Sequence, residues 1–297
     1  MRAYVAITDG KWFDFLSHLT PAPDEVNFWQ PGPRGAFGAL ELAEPILFKL
    51  HRPYDFIVGG GFFSHWTRLP VSLAWEAFER KNGAESLTAM RVLIDRYRRL
   101  KPAPHEDPDI GCLVLLQPFF LPRQNWIPVP EWHPNIVSGK VVDLGIEPWQ
   151  SVWDHVERFL PSLELRYSEP KLVKLRLGQG TFRVLVTDAY RRRCAVTGEK
   201  VLPVLHAAHI RSYADGGEHR VDNGLLLRSD LHILFDKGYM TVTPDYRVEV
   251  SRRLRTDFHN GEEYLRWRGG NITLPQSASD RPRPEFLAWH NEHKFIA

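Results

Sequence analysis

The sequence predicts an α+β protein built from two domains. In the first half of the chain, short stretches of alternating apolar and polar residues predict strands with few helices between them. Beyond residue 194 the pattern changes to strand, long loop, strand and helix. The chain has 297 residues, which is long enough for about two domains. We therefore expect a small, strongly bent β-barrel with helices, followed by a separate second domain.

The elements of the first half follow from local patterns. Apolar residues alternate along Arg2–Thr8, which predicts a strand, and Asp9 is placed to cap a helix that runs through Leu19. Three consecutive glycines, Gly59 to Gly61, indicate a bulge or the close approach of the backbone to a ligand, with a simple bend at a barrel corner as the blander cause. Further strands are predicted at Ile46–Leu50, Phe56–Phe63, Gly111–Phe120 and Ile136–Leu144, and helices from a Ser72 cap and over Ser86–Arg99.

The second half predicts two strands and a helix joined by a long loop. The strands are Val201–Ala208 and Leu225–Arg228, and a Gly216-Gly217 pair turns the loop between them. Ser229 is placed to cap the helix and Gly238 to end it. A hairpin of Met240–Thr243 with Arg247–Ser251 and a final helix at Glu285–Phe295 are expected after it.

The composition excludes several classes of protein. The chain has 38 Lys and Arg against 36 Asp and Glu, which excludes histones and basic tails. It contains no apolar run near the roughly 18 residues of a membrane helix, and its start does not resemble a secretory signal, so we expect a cytoplasmic protein. The two cysteines, Cys112 and Cys194, are too few for a disulfide framework or a four-cysteine zinc site.

The distribution of residue types separates the two halves. Eight of the ten tryptophans lie within the first 153 residues. The segment Lys171–Arg193 then has seven basic residues against one acidic residue. We expect a recognition domain at 1–168, a basic linker at 169–182 and a second domain at 183–297.

The second half contains a group of residues suited to phosphodiester hydrolysis. His209 ends the first predicted strand, Asn223 precedes the second, and His232 lies in the helix with Asp236 four residues later. Side chains at this spacing project from one helical face and can share a cation. A neutral imidazole is suited to activating a water molecule, and a cation stabilises the charge on the phosphate.

This pattern resembles the HNH nucleases of the ββα-metal type. The resemblance implies that His209 is the general base, Asn223 braces the loop, and His232, with Asp236, binds a divalent cation, Mg²⁺ or Mn²⁺. Many members have a metal-binding Asp or His where this chain has Ala208, so either His206 takes that role or the helix ligands and water suffice. His206 and His219 are each open between function and loop structure. Phosphate contacts are expected from Arg183, Arg191, Arg192 and Arg193.

The first half resembles the PUA-like superfamily, in particular its EVE, YTH and SRA members. The likeness is carried by the segments Asn27–Pro31, Phe48–Leu50, Ile57–Phe63, Trp126–Pro128 and Ser138–Lys140. It implies that a base is flipped from the stack and held between aromatic faces. We expect Trp29, in a Pro-flanked loop, to be the first cage wall, with Trp12 and Trp66 as further candidates, although each could instead pack a core. Asn27 and Asp55 are candidates for hydrogen bonds to the base edge, or for cap and turn roles.

Together the two resemblances imply a modification-dependent DNA endonuclease used in defence against phage. Such an enzyme would cut double-stranded DNA near 5-methylcytosine or 5-hydroxymethylcytosine, with a homodimer as one way to break both strands. The alternative is a PUA-like RNA-binding protein whose HNH unit is degraded or acts on RNA.

Overall fold

The computed structural model describes residues 1–32, 37–98, 106–160 and 177–297. The chain divides into two compact units, Met1–Thr181 and Phe182–Ala297, and both contain helices and strands. The predicted α+β class is therefore confirmed. Most of the predicted linker, including Lys171, Lys174 and Arg176, lies outside the described residues, so the bounds 1–168, 169–182 and 183–297 stay a prediction.

The described part of unit 1 contains a seven-stranded sheet. Its strands pair in the order β2-β5-β4-β3-β1-β7, with β6 on β4, and only the pair of β1 and β3 is parallel. The path therefore leaves β2 and β7 at its two ends. The strands are β1 (Arg2–Thr8), β2 (Glu25–Gln30), β3 (Pro45–Leu50), β4 (Phe56–Pro70), β5 (Asp109–Phe120), β6 (Ile127–Pro128) and β7 (Gly139–Asp143).

The long strand β4 bends where its glycines lie. The pairing of β4 with β5 shifts register twice, between Gly60 and Phe62 and between Phe63 and His65. A Cβ on Gly59 would lie 2.3 Å from the carbonyl oxygen of Phe119, and one on Gly60 would lie 2.5 Å from that of Ile46. The register shift at Gly61 agrees with the bulge, and the close approach of neighbouring strands accounts for Gly59 and Gly60.

Four described helices accompany the sheet in unit 1. The Asp9 cap is confirmed, since its carboxylate accepts a hydrogen bond of 3.0 Å from the Trp12 amide. The Ser72 cap is wrong: Ser72 lies inside the helix, and the carboxylate of Asp107 accepts from its amide at 2.9 Å. The helices are α1 (Gly10–Ser17), α2 (Val71–Phe78), α3 (Leu87–Arg98) and α4 (Trp149–Glu157).

The first described element of unit 2 is the helix α5 (Gln179–Ala189). It begins at the end of unit 1 and continues past Phe182, the first residue of unit 2. A strand pair leads directly into a helix, and because no residue intervenes, Arg228 rather than Ser229 takes the cap position. The predicted stop at Gly238 agrees with its φ of +75°. The elements are β8 (Leu205–His209), β9 (Gly224–Arg228), α6 (Ser229–Asp236), β10 (Met240–Val242), β11 (Val248–Val250), α7 (Arg253–Phe258), α8 (Glu262–Leu265) and α9 (Pro284–His293).

The core of unit 2 forms around the pair of β8 and β9. Leu225, Leu226 and Leu227 are fully buried, together with Leu231 and Phe235 of α6. Burial of these leucines holds the helix against the strands, because each Å² of apolar surface removed from water contributes about 25 cal/mol of stabilising free energy. The strand pair and helix therefore form a rigid frame for the side chains that they carry.

Cys194 belongs to this core. It is buried and free, and its sulfur accepts from the amides of Thr197 at 3.4 Å and Arg228 at 3.3 Å. Cys112 is also free and buried. None of the described helices has the length and apolar character needed to cross a membrane.

Candidate active site

The frame of β8, β9 and α6 places the three motif residues at its ends. The two strands are antiparallel, with His209 opposite Gly224 and Leu205 opposite Arg228. His209 therefore ends β8 beside Asn223, the residue before β9. His232 follows in the first turns of α6, which starts as β9 ends.

Asn223 closes the loop between the strands. Its side-chain oxygen accepts from the Arg211 amide at 2.9 Å, and its side-chain nitrogen donates to the carbonyls of Arg211 at 2.9 Å and Glu218 at 3.0 Å. Its own carbonyl accepts from the amide of Ile210 at 2.9 Å. Asn223 is fully buried, so an unpaired amide there would cost about 1–3 kcal/mol. These hydrogen bonds join Asn223 to Arg211 and Glu218, near the two ends of the loop, as a residue that braces this loop would.

His209 is held between two aromatic rings. It stacks on Phe182 with 3.8 Å between ring centroids, and its Nε2 lies 2.9 Å from Nδ1 of His219. Burial, with smaller effects from His219 and His232, lowers the pKa of His209 to about 4. The imidazole is therefore neutral at physiological pH, which is the form that can accept a proton.

His232 lies between a second histidine and a carboxylate. Its Nδ1 is 3.5 Å from Nδ1 of His206, and its Nε2 is 3.3 Å from a carboxylate oxygen of Asp236. Burial lowers the pKa of His232, while the Asp236 carboxylate opposes that effect. Two imidazole nitrogens bound at about 2.1 Å to one tetrahedral cation lie roughly 3.4 Å apart. The separation seen here therefore fits a shared cation.

Asp236 occupies a different position from the two histidines. Its carboxylate faces Nε2 of His232, the nitrogen that points away from His206. A carboxylate on the far nitrogen of a metal-binding histidine orients the ring and raises its basicity. Among residues 1–32, 37–98, 106–160 and 177–297, no group of three or more His, Cys, Asp or Glu is arranged to hold a metal. Of the predicted set of His206, His232 and Asp236, the two imidazoles face each other as a pair, and Asp236 lies on the far side of His232.

Ala208 and His206 both lie in β8 but differ in their surroundings. Ala208 is fully buried in the core of unit 2. His206 is half-buried and meets His232 edge to face, with 5.6 Å between the ring centroids. This geometry supports the alternative in which His206 takes the strand position of the metal site.

The predicted phosphate-binding arginines differ in exposure. Arg191 and Arg193 are exposed, whereas Arg192 is half-buried and its guanidinium lies 3.3 Å from the Asp188 carboxylate. Arg183 is half-buried on α5. Arg191 and Arg193 are therefore the better placed of the four to meet a phosphate.

The candidate base-binding residues of unit 1 separate into groups. Trp29 and Asn27 share one partner, Asn82: the Trp29 indole nitrogen donates to its carbonyl at 2.9 Å, and the Asn27 amide donates to its side-chain oxygen at 2.9 Å. Asp55 instead pairs with the buried Lys49 at 2.5 Å. The structure thus brings Trp29 and Asn27 together and commits Asp55 to an ion pair.

The placement of Trp29 corrects one expectation. It lies in β2 opposite Cys112 of β5, not in a loop, because the strand continues to Gln30 before Pro31. Trp12 is only 5% exposed and packs edge-on against Phe28 and Phe48, which is a core position.

Trp66 is half-buried, and no hydrogen-bond partner for its buried indole nitrogen exists within the part of the chain that the structure describes. It packs against the same core group as Trp12. The indole N–H of Trp66 is therefore an unused hydrogen-bond donor among the described residues, whereas the indole N–H of Trp29 donates to the Asn82 carbonyl.

Sequence reasoning did not identify two neighbours of these sites. Phe182 stacks on His209 from α5, outside the motif, and no spacing signals it. Asn82 joins Trp29 and Asn27 from a turn more than 50 residues away in sequence. His219 was left open, although its place two residues after Gly216-Gly217 puts it at the end of the turn that faces His209.

A comparison with protein families gives one match to this part of the chain. Residues 194–243 match the family model of an HNH endonuclease. This segment is an HNH endonuclease domain. The match spans β8, β9 and α6 and contains His206, His209, Asn223, His232 and Asp236. The resemblance stated from the sequence and the expectation of a nuclease are confirmed.

The comparison with solved structures finds two kinds of protein among its matches. ASCH from Zymomonas mobilis has 11% sequence identity and a TM-score of 0.30, covering 54% of this chain and 94% of that one. A variant of the same protein has 12% identity and a TM-score of 0.29, covering 54% and 97%. The modification-dependent restriction endonuclease TagI has 12% identity and a TM-score of 0.31, covering 98% of this chain and 80% of that one. No curated protein matches the sequence.

Proposed function

We propose that this nuclease is modification-dependent: unit 1 flips and reads a modified cytosine, 5-methyl- or 5-hydroxymethylcytosine, and unit 2 hydrolyses nearby phosphodiester bonds of double-stranded DNA. The observation that carries the hydrolytic part of the proposal is the arrangement of His209, Asn223 and His232 on one frame. The half-buried ring of Trp29 supports base reading, because flipped bases are held by stacking, whereas Asn27 is fully buried and its amide donates to Asn82. A cytoplasmic location and a homodimer stay predictions.

The residues of unit 2 have distinct tasks in this reaction. His209, neutral because of its burial, takes a proton from the water that attacks phosphorus. Asn223 keeps the loop beyond His209 in place through its bonds to Arg211 and Glu218. The exposed guanidinium groups of Arg191 and Arg193 contribute phosphate contacts that do not depend on sequence.

The imidazoles of His206 and His232 would hold the divalent cation. Such an ion stabilises the negative charge that develops on the scissile phosphate. Asp236 keeps the His232 ring in the orientation that turns Nδ1 toward His206. Imidazole donors suit Zn²⁺, Fe²⁺ and Ni²⁺, whereas Mg²⁺ and Mn²⁺ prefer oxygen ligands, so the two expected cations would draw on water and phosphate oxygens beside the histidines.

The rival function is RNA binding by unit 1 with an HNH unit that is degraded or acts on RNA. The intact triad of His209, Asn223 and His232, with its hydrogen bonds in place, argues against degradation. It leaves the nature of the nucleic acid as the point that separates the two proposals.

One digest separates them. Matched plasmids carrying cytosine, 5-methylcytosine, 5-hydroxymethylcytosine or N6-methyladenine, and a structured RNA, are incubated with the full chain in Mn²⁺ or Mg²⁺. We expect cleavage of the two modified-cytosine plasmids, and cleavage slower by about two to four orders of magnitude with His209→Ala. Equal cleavage of all plasmids would refute modification dependence, and cleavage of RNA alone would favour the rival.

A further inference from the structure

We propose that His219 is the positioning residue of the HNH site: its Nδ1 accepts a hydrogen bond from the Nε2–H of His209 and so holds that ring in the tautomer that leaves Nδ1 of His209 free to take a proton. The inference rests on the proposed function, in which His209 is the base.

The first support is the contact itself. Nε2 of His209 lies 2.9 Å from Nδ1 of His219, and no other hydrogen bond to the His209 ring occurs among the residues that the structure describes. Only one of two nitrogens at this distance can carry the proton between them. The contact therefore couples the tautomer of His209 to that of His219.

The second support is the chemistry of a neutral imidazole, which carries one proton on its two nitrogens. If His219 donates to His209, the proton of His209 must be on Nδ1, and neither nitrogen has a lone pair left for water. If His209 donates from Nε2, its Nδ1 keeps a lone pair. Only the second arrangement allows His209 to act as a base, and it requires His219 to be the acceptor.

The third support is that His219 is itself held in place. Its ring is stacked on Tyr213, with an interplanar angle of 12° and 5.2 Å between centroids. The carbonyl of the preceding residue, Glu218, accepts from Asn223 at 3.0 Å. The turn before it is tight, since a Cβ on Gly217 would lie 2.0 Å from the Arg211 carbonyl oxygen. Asn223 thus fixes both the end of β8 and the segment that presents His219.

The same bond continues to act after proton transfer. Once His209 has taken the proton on Nδ1, it is an imidazolium that donates from Nε2 to His219 through a charge-assisted hydrogen bond. His219 thereby stabilises the charged form that appears during the reaction without receiving a proton itself.

The test compares two substitutions that differ only in the acceptor. His219→Asn places an amide oxygen where Nδ1 lies, whereas His219→Leu fills the space without an acceptor. We expect His219→Leu to lower kcat on modified DNA about 10- to 100-fold with little change in KM, as for other residues that orient a site histidine. We expect His219→Asn to stay within a few-fold of the wild type. His259→Asn, at an exposed histidine of the same unit, is the matched control.

A measurement independent of cleavage accompanies it. Long-range ¹H–¹⁵N correlation spectra of the histidine-labelled full chain report which nitrogen of His209 is protonated. We expect the Nε2–H tautomer in the wild type and in His219→Asn, and a mixture in His219→Leu.

Several outcomes would overturn the inference. These are an Nδ1–H tautomer in the wild type, a wild-type rate for His219→Leu, or equal loss in both variants. If His219→Leu does not fold, the wild-type spectrum and His219→Asn still decide. If the wild type cleaves no nucleic acid, the proposed function fails, and the tautomer measurement tests the role of His219 on its own.

Discussion

His209 shows how burial and neighbours prepare one residue for chemistry. Burial, with smaller effects from His219 and His232, lowers the pKa of His209 to about 4, so the ring is neutral and able to accept a proton at physiological pH. We predict that His209→Ala lowers the cleavage rate by about two to four orders of magnitude, the usual contribution of general-base catalysis. Binding of modified DNA, measured by fluorescence anisotropy, should change by no more than a few-fold. Cleavage at the wild-type rate by the folded variant would remove His209 from the reaction.

The metal-binding pair can be separated from its orienting carboxylate by titration. Because His206 and His232 face each other through Nδ1, we predict that His206→Ala and His232→Ala each raise the Mn²⁺ concentration for half-maximal activity or abolish activity. Asp236→Asn keeps an oxygen for Nε2 of His232 but loses the charge that raises the basicity of the ring, so its titration curve should shift by about 10-fold. EDTA should stop cleavage, and a divalent ion, Mn²⁺ or Mg²⁺, should restore it. An unchanged curve for His232→Ala would show that the cation binds elsewhere.

At the scale of elements, α9 is joined to the core of unit 2 by a buried histidine. His290 is 2% exposed, its Nδ1 lies 2.8 Å from the Thr241 hydroxyl and its Nε2 lies 3.2 Å from the Phe235 carbonyl. Burial lowers the pKa of His290 from 6.5 to about 4; the hydrogen bond to the Phe235 carbonyl opposes this shift, and the nearby Lys294 adds to it. The ring is neutral in both folded and unfolded chains above pH 6.5. Below that pH the unfolded chain binds the proton first, so stability falls as the pH decreases toward 4.

This histidine predicts a measurable part of the acid sensitivity of unit 2. We expect it to remove about 3 kcal/mol of unfolding free energy between pH 7 and pH 4. Denaturant unfolding of the wild type, His290→Gln and the exposed control His293→Gln at several pH values isolates this contribution. His290→Gln should be less stable at pH 7 but should lose less on acidification. Parallel pH curves for the wild type and His290→Gln would contradict the prediction.

Most elements could be predicted from the sequence, and the directions of side chains could not. The strand Arg2–Thr8 has the bounds that its alternation predicts, and Asp9 caps the next helix. The prediction of a Ser72 cap is wrong because the carboxylate of Asp107, 35 residues later in the sequence, accepts a hydrogen bond from the Ser72 amide at the start of the helix. The sequence left the role of His206 open, since one-dimensional spacing does not show which ring nitrogen faces His232. Such facts depend on tertiary packing, which local patterns do not encode.

At the scale of the whole molecule, selectivity and affinity have different physical sources. With a net charge of only +2, binding of DNA must come from local phosphate contacts, which do not depend on sequence. Stacking on a flipped base, worth roughly 1–3 kcal/mol, depends on the base and its edge contacts. Since the tryptophan-rich half has no nuclease motif, we expect the two properties to respond to different substitutions.

We predict that Trp29→Ala erases the preference for modified over plain DNA while a salt-sensitive residual affinity persists, and that Trp29→Phe, which keeps a ring, retains part of the preference. Arg193→Ala, at an exposed guanidinium, should weaken binding to both DNAs alike and reduce the dependence on salt. The measurement is equilibrium binding of the full chain, inactivated by His209→Ala, to oligonucleotides with one modified or unmodified cytosine at two salt concentrations. Trp29→Ala must melt near the parent temperature for its result to count, because its indole nitrogen also anchors the Asn82 carbonyl. If the parent binds every oligonucleotide equally, unit 1 does not read a modified cytosine, and RNA binding becomes the better account of it.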